Sequence, residues 1–545
     1  MSAPAGRRGS EAVVRGARLY ATAGERLPGD AIAIRKGRIV DVGPWTRVRD
    51  AVGGDATVLD LHDRTITPAF IDAHTHFHRG AVARAFYLDF EALAPVDSEA
   101  VLALVRERAA ATAPDAWVQG ESLSASRLSD RLLPDRRRLD EVAPRNPVVL
   151  RGIGKHVVAA NSVALAAAGI DRTTEDPPGG RIEREADGEP TGILHERAKL
   201  RLDQSHPETV VPGPSPAQRR DAVAAAYGDL HRSGIATIHE MIRLPEEADD
   251  HAALRAEGRL GVRVRLFYRV HESAISLDWL EGLGLRRGLG DDWLKVLGVK
   301  ISVDGFCIFR NAAVHEPYRG EPDNCGLLRI EGPMLDDLVA RSDRQGLQIA
   351  VHAVGPRAVD LALDAFERAA PLAAGPHRLE HAYLDMDAAR FARAARLGLA
   401  WSTQPNFLGA YQREWADAFE PDRIGRIMPL RAGIDAGLPL LLDSDYPCAP
   451  FEPLDAIRLA VDRRDADGRP HPQRLSIAEA WRAYTTTPAE IAGDERLGRI
   501  AIGARADLIA LDDDPFDPAT DLAGVVVRAT IVDGTLVTDR DEVGG

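Results

Sequence analysis

The alternation of apolar and polar positions changes character twice along the chain. Near the start, Ala31-Ile32-Ala33-Ile34 and Arg38-Ile39-Val40-Asp41-Val42 flank Lys36-Gly37, the pattern of a β-hairpin. Near the end, Ala506–Leu511 and Ala529–Val532, the latter followed by Asp533-Gly534, again read as strands and a turn. Residues 1–66 and 491–545 are therefore expected to form one small β-sandwich built from both termini. Between them, over 67–490, apolar runs alternate with Ala-rich helical patterns such as Arg357–Ala370 and Met386–Leu397, the signature of parallel βα units. Eight runs feed helices: Ile66–Ala73, Ile235–Glu240, Val262–Val270, Leu294–Val303, Leu347–Ala353, Arg378–Ala382, Leu399–Thr403 and Leu438–Asp443. Eight parallel strands close a barrel. The expected fold is α/β, a (β/α)8 TIM-like barrel carrying the terminal sandwich.

The series has one irregular interval. Roughly 150 residues separate Arg79 from Arg232, whereas a helical crossover needs only a dozen or more. An inserted subdomain is expected at about 80–232, with its own strand at Val148–Arg151 and a Pro-, Ser- and Gly-rich loop over 203–216.

Composition narrows the function classes. Among 545 residues, 45% are hydrophobic and 28% charged, which excludes a mainly disordered chain. The net charge of −15, with no basic run, argues against nucleic acid and anionic membrane surfaces as partners. No stretch of 18 apolar residues occurs, and the N-terminal region lacks the apolar core of a signal peptide. Three cysteines (Cys307, Cys325, Cys448) are too few and too widely spaced for a disulfide framework or a zinc knuckle, and fit reduced thiols in a cytoplasmic protein.

The candidate chemistry gathers at strand ends. In Asp72-Ala73-His74-Thr75-His76-Phe77-His78, residues two apart on a strand share a face, so His74 and His76 point into one cavity. The fifth strand ends in His352, the sixth in His381 and the eighth in Asp443-Ser444-Asp445; the fourth carries Lys300 and then Asp304-Gly305. Four histidines and an aspartate at the C-terminal ends of barrel strands describe a metal centre, because catalytic groups of this fold come from several strand ends on that face. His78 is a further pocket candidate.

With these motifs the chain resembles the amidohydrolase superfamily, specifically family 3, the YtcJ-like and N-substituted formamide deformylase-like metal-dependent hydrolases. The resemblance runs nearly end to end. It is carried by His74-Thr75-His76, Pro144–Leu150, His156 with Asn161-Ser162, Gly192-Ile193-Leu194 with Glu196, and Gly234–His239. Downstream it continues through Lys300 with Asp304-Gly305, His352–Gly355, His377–His381, Gln404-Pro405, Ser444-Asp445, Tyr484-Thr485 and Ala504–Leu508.

The resemblance implies a hydrolase of amide, N-formyl or cyclic amide C–N bonds in a small molecule, acting through two divalent metal ions, with zinc the expected ion. His74 and His76 are implied as ligands of the more buried metal and His352 and His381 of the second. Lys300, carbamylated, is implied as the bridge, and Asp445 as the remaining ligand and proton shuttle. An unmodified lysine ammonium has no acceptor and cannot ligate a cation. Glu196 is a competing bridge, but it lies in the insertion. Implied substrate contacts are His156, Asp304, Phe306, Arg310 and Gln404.

Departures from the family pattern bear on the substrate. The run Phe306-Cys307-Ile308-Phe309 before Arg310 is bulkier and more apolar than usual, and predicts an apolar pocket wall made by Phe306, Ile308 and Phe309. Gly154-Lys155 precedes His156, and Pro356 follows Gly355. An isomerase, hydratase or decarboxylase on the same scaffold, or a non-catalytic small-molecule binder, remain alternatives at this stage, because fold does not decide reaction type. The expected partners are the small-molecule substrate and a second copy of the chain in a homodimer.

Overall fold

The computed structural model describes residues 11–52, 56–153, 157–177, 180–203, 206, 208–465 and 467–540. Eight parallel strands follow one another in chain order around a barrel: Phe70–Thr75, Ile235–Ile242, Arg263–Arg269, Leu294–Ser302, Gln348–Ala353, Arg378–His381, Ala400–Thr403 and Leu440–Leu442. The first and eighth meet where the Asp445 N–H donates to the His74 carbonyl (2.9 Å) and the Ser444 N–H to Asp72 Oδ1 (3.1 Å). Strand alternation divides each strand between two environments. Val299 and Ile301 of strand four, like Ile349, Val351 and Ala353 of strand five, pack into the core shared with the surrounding helices. Lys300 and His352 occupy the intervening positions, which places them on the barrel's inner face. Gly298 makes the approach of strands four and five possible: a Cβ there would lie 1.7 Å from the Gln348 carbonyl oxygen.

Seven strands drawn from both ends form the terminal β unit, in the order Thr535–Asp539, Val527–Val532, Leu508–Leu511, Thr57–Pro68, Ala12–Leu19, Ala31–Arg35, Arg38–Gly43. The expected hairpin at Lys36-Gly37 is present, with both residues at positive φ (50° and 71°). The expected first barrel strand, Ile66–Ala73, is instead two strands. Ile66 and Pro68 pair with Ala510 and Leu508 in the terminal sheet, whereas Phe70 pairs with Ile235 in the barrel. Proline has no N–H to continue a ladder. Beyond it the chain changes sheets one residue at a time: the Ala69 N–H donates to the Asp507 carbonyl (3.0 Å) and the Phe70 N–H to that of Gly234 (2.9 Å). A buried ion pair ties the same two units together, with Arg263 Nε 2.6 Å from Asp507 Oδ2.

The long interval holds a third sheet of six strands, ordered Gly180–Arg184, Pro190–Glu196, Val157–Ala160, Val148–Gly152, Val118–Leu123, Leu88–Asp89. It has its own core around Leu139, Val148 and Leu150. The helix Pro216–Arg232, at the end of the same interval, returns to the barrel wall and stacks Tyr227 on Phe77 (centroids 5.5 Å apart). Among the described residues, no helix is long and apolar enough to cross a membrane.

Gly298→Ala is expected to force strands four and five apart and to cost about 1–3 kcal/mol of stability, the usual range for overpacking. The denaturant midpoint measures it; an unchanged midpoint would show that the strands have room to give.

Candidate metal centre

His74, His76 and Asp445 converge at the C-terminal mouth of the barrel, their potential ligand atoms all within 4.8 Å of one another. Asp445 Oδ1 lies 3.5 Å from His74 Nε2 and 3.6 Å from His76 Nε2. Lys300 Nζ stands 3.1 Å from His74 Nε2. The His381 ring is centred 5.1 Å from that of His74 and 4.5 Å from that of His352. Two imidazoles and a carboxylate suit zinc and other divalent transition metals.

Each imidazole is oriented through one nitrogen, which determines the nitrogen left for a metal. His74 Nδ1 is bonded to the Glu380 carboxylate, leaving Nε2 toward the cavity. His76 Nδ1 donates to the Met241 carbonyl (2.8 Å), and His381 Nδ1 to Gln404 Oε1 (2.9 Å). His352 is the exception. Its Nε2 lies 3.0 Å from the Gly305 carbonyl and 3.4 Å from Asp304 Oδ1, which leaves Nδ1 as its open nitrogen. Burial holds all four histidines well below the ordinary imidazole pKa, aided by the nearby Lys300 cation, so each keeps a ligating lone pair. Burial also moves Lys300 down to about 8 and Asp445 up to about 7.

Two of these side chains sit on backbone that L-residues seldom adopt, with φ of 71° at His381 and 51° at Asp445. Regular alternation would send Glu380 and His381 to opposite faces. The left-handed turn at His381 lets Glu380 hold His74 from within the barrel while His381 also joins the cluster. Such strain gathers at functional sites.

The cavity over this cluster, about 110 Å³, is lined by His74, His76, Lys300, His352, His381 and Asp445. Asp304 and Phe306 join the same lining. Asp304 is also a structural clamp, accepting the N–H groups of Ala313, Val354 and Gly355 at 2.9 Å each; burial raises it to about 7. Other expected contacts lie elsewhere. Gln404 is fully buried behind His381, its Nε2 donating to Asp443 Oδ1 (2.7 Å), so it positions a ligand and does not face the cavity. Arg310 is turned away, held by the Glu321 carboxylate and the Asp417 carbonyl. Of the expected apolar wall only Phe306 lines the cavity, because Ile308 and Phe309 line a separate cleft with Arg310 and Glu196. Glu196 accepts from Asn311 Nδ2 (2.8 Å) in that cleft, away from the four histidines. His78 is buried against Asp250 (3.0 Å) and lines a neighbouring cavity. His156 and Lys155 lie outside the described residues.

Sequence reasoning assigned no role to Glu380 or Arg378. Both are fully buried inside the barrel beneath the histidines. Arg378 donates to both Glu380 oxygens (2.7 and 2.9 Å) and to the Ala73 carbonyl (2.7 Å), and its guanidinium lies 5.1 Å from the Phe267 ring centre. The available signal was the charged pair in His377-Arg378-Leu379-Glu380-His381, since charges within a barrel strand require partners.

Glu380→Gln is expected to weaken metal affinity about 10–100-fold, the usual cost of losing a partner that orients a ligand. Titration against a chelator buffer reads it; wild-type affinity would show that His74 is oriented without Glu380.

A profile of the Amidohydrolase family matches residues 57–538. The N-substituted formamide deformylase of Arthrobacter pascens is 30% identical over 94% of this chain and 95% of its own length. YtcJ of Bacillus subtilis is 30% identical over 97% of this chain and all of its own. Among solved structures, an uncharacterized metal-dependent hydrolase from Pyrococcus horikoshii superposes with a TM-score of 0.76 at 22% identity, covering 94% of this chain and 99% of that one. With the histidine cluster lying inside the matched span, this chain belongs to the amidohydrolase family.

Proposed function

We propose that this metal-dependent hydrolase cleaves a non-peptide C–N bond of a small molecule, in an amide, N-formyl amine or cyclic amide, with two divalent ions, zinc foremost. The observation that carries this reading is the convergence of the open Nε2 atoms of His74 and His76 on Asp445, with the Lys300 amine 3.1 Å from His74 Nε2. His74, His76 and Asp445 would hold one ion, and His352 and His381 the other. The Lys300 ammonium cannot ligate either ion. Its neutral amine can take up carbon dioxide, losing a proton, and the resulting carbamate would offer anionic oxygens to the ions.

Divalent ions held by these residues would lower the pKa of water toward neutrality and polarise the substrate carbonyl. Asp445 accepts the proton released by the attacking water and returns it to the departing nitrogen. One oxygen from water enters the acid product, and the amine leaves with the transferred proton. The neutral histidines hold the ligand positions without competing for that proton.

Purified protein is expected to carry close to two transition-metal ions per chain by elemental analysis, and its hydrolysis of N-formyl amines or amides to incorporate one oxygen from labelled water. A metal-free preparation whose activity ignores chelators, or a product without the label, would refute the reading. Asp445→Asn should lower turnover about 10²–10⁴-fold, the range of positioned acid–base groups; near-normal turnover at a normal metal load would place the shuttle elsewhere. Lys300→Ala should lose metal and activity together, and bicarbonate should speed reactivation of the apo wild-type protein. Reactivation indifferent to bicarbonate would count against the carbamate.

A further inference from the structure

Five cationic side chains line the cavity over the histidines, against three carboxylates, Glu121, Asp304 and Asp445. Arg79, Arg243, Arg269 and Arg329 all line it, together with Lys300. The carboxylates nearby are largely engaged. Glu272 bonds Arg329 and lies 3.6 Å from Arg269, so one carboxylate serves two guanidinium groups. Glu121, on the cavity wall, lies 3.1 Å from Arg151, and Asp304 accepts three backbone N–H groups. Among the described residues, no carboxylate forms a salt bridge with the side chain of Arg79 or Arg243. Buried Arg243 Nε has no hydrogen-bond partner at all.

These two arginines stand on one side of the cavity. Arg79 lies in the first turn of the helix Phe77–Phe86, three residues beyond His76. Arg243 follows Met241, whose carbonyl holds His76 Nδ1, by two residues. Burial and the neighbouring Arg79 push Arg243 down to about 10, against a weaker opposing pull from the carboxylates of Asp203 and Glu247. Guanidinium groups left unpaired at a cavity wall repel one another and lose hydration, and an anion brought by a ligand relieves both costs. Their planar forks match a carboxylate, which accepts two parallel hydrogen bonds from each. Ile153, Met241, Phe306, Val354 and Pro447 supply apolar lining.

We propose that Arg79 and Arg243 form the anion-binding end of the substrate pocket, and that the substrate is an amide bearing a carboxylate close to the scissile C–N bond, with an apolar remainder. The assignment rests on the amide-hydrolase reading above and adds the substrate's charge to it. The bond to be cleaved lies over the metal ligands while the carboxylate is held on the His76 side.

The test is calorimetric binding of two probes to metal-loaded protein: N-phenylacetylglycine and its neutral counterpart N-phenylacetylglycinamide. Wild-type protein should bind the acid on the order of 10–100-fold more tightly than the amide, the worth of one to a few charge-assisted hydrogen bonds. Arg79→Gln and Arg243→Gln should each remove most of that preference, and the Arg79→Lys/Arg243→Lys double variant should retain part of it. Equal affinity for the two probes in wild-type protein would overturn the proposal, and a preference that survives in both glutamine variants would overturn it too and move carboxylate recognition to the metals or Lys300. Hydrolysis of both probes, followed in parallel, separates the two readings. An arginine-dependent preference with cleavage of neither probe nor of any other amide overturns the amide-hydrolase reading and leaves the anion site standing. Equal cleavage of both probes without a binding preference overturns the anion site alone.

Discussion

The arrangement at the mouth of the barrel depends on an ion pair buried beneath it. Arg378 and Glu380 are fully shielded from water, two residues apart on the sixth strand, and neither charge could stay there without the other. Arg378 occupies both Glu380 oxygens and reaches across to the Ala73 carbonyl of the first strand. Glu380 in turn bonds His74 Nδ1, whose own strand begins where the chain leaves the terminal sheet. One guanidinium therefore links the sixth strand to the first across the barrel interior and, through Glu380, determines which nitrogen of His74 faces the cavity. A pair this deep adds little net stability, since desolvation opposes its attraction. Its consequence is geometric, a ligand held in one orientation before any metal arrives.

The same logic repeats around the ring. Met241 orients His76 through a backbone carbonyl, and Gln404 orients His381 while itself held by Asp443. Burial keeps the four imidazoles neutral, and the left-handed backbone at His381 and Asp445 brings in two side chains that regular strand geometry would aim elsewhere. The inserted sheet contributes Glu121 and Gly152 to the cavity wall, so the barrel provides the ligands and the insertion part of the enclosure.

Much of this was legible in the chain because it rests on local periodicity. The two-residue period pointed to His74 and His76 together, although the strand ends at Thr75 and His76 already caps the helix Phe77–Phe86, and the order of βα units pointed to His352, His381 and Asp445. The rest depended on long-range contacts that periodicity does not encode. The run Ile66–Ala73 reads as one strand, yet Pro68 divides it between two sheets. Gln404 and Arg310 lie in motifs that mark a site, but their side chains turn to Asp443 and Glu321. Glu380 was visible as a charge within a buried barrel strand, but its partner His74 is 306 positions away. The arginines at the cavity wall come from four separate βα loops or strand ends, and only the fold shows that they share one space.

The central claim is that these pre-oriented side chains form a binuclear metal site bridged through Lys300. Anomalous diffraction from a crystal grown with the native metal tests it most directly. The account predicts two peaks, one among His74 Nε2, His76 Nε2 and Asp445 and the other beside His352 Nδ1 and His381 Nε2, with electron density for a carbamate beyond Lys300 Nζ. A metal bound away from these histidines, or two metals flanking an unmodified Lys300 amine, would contradict it.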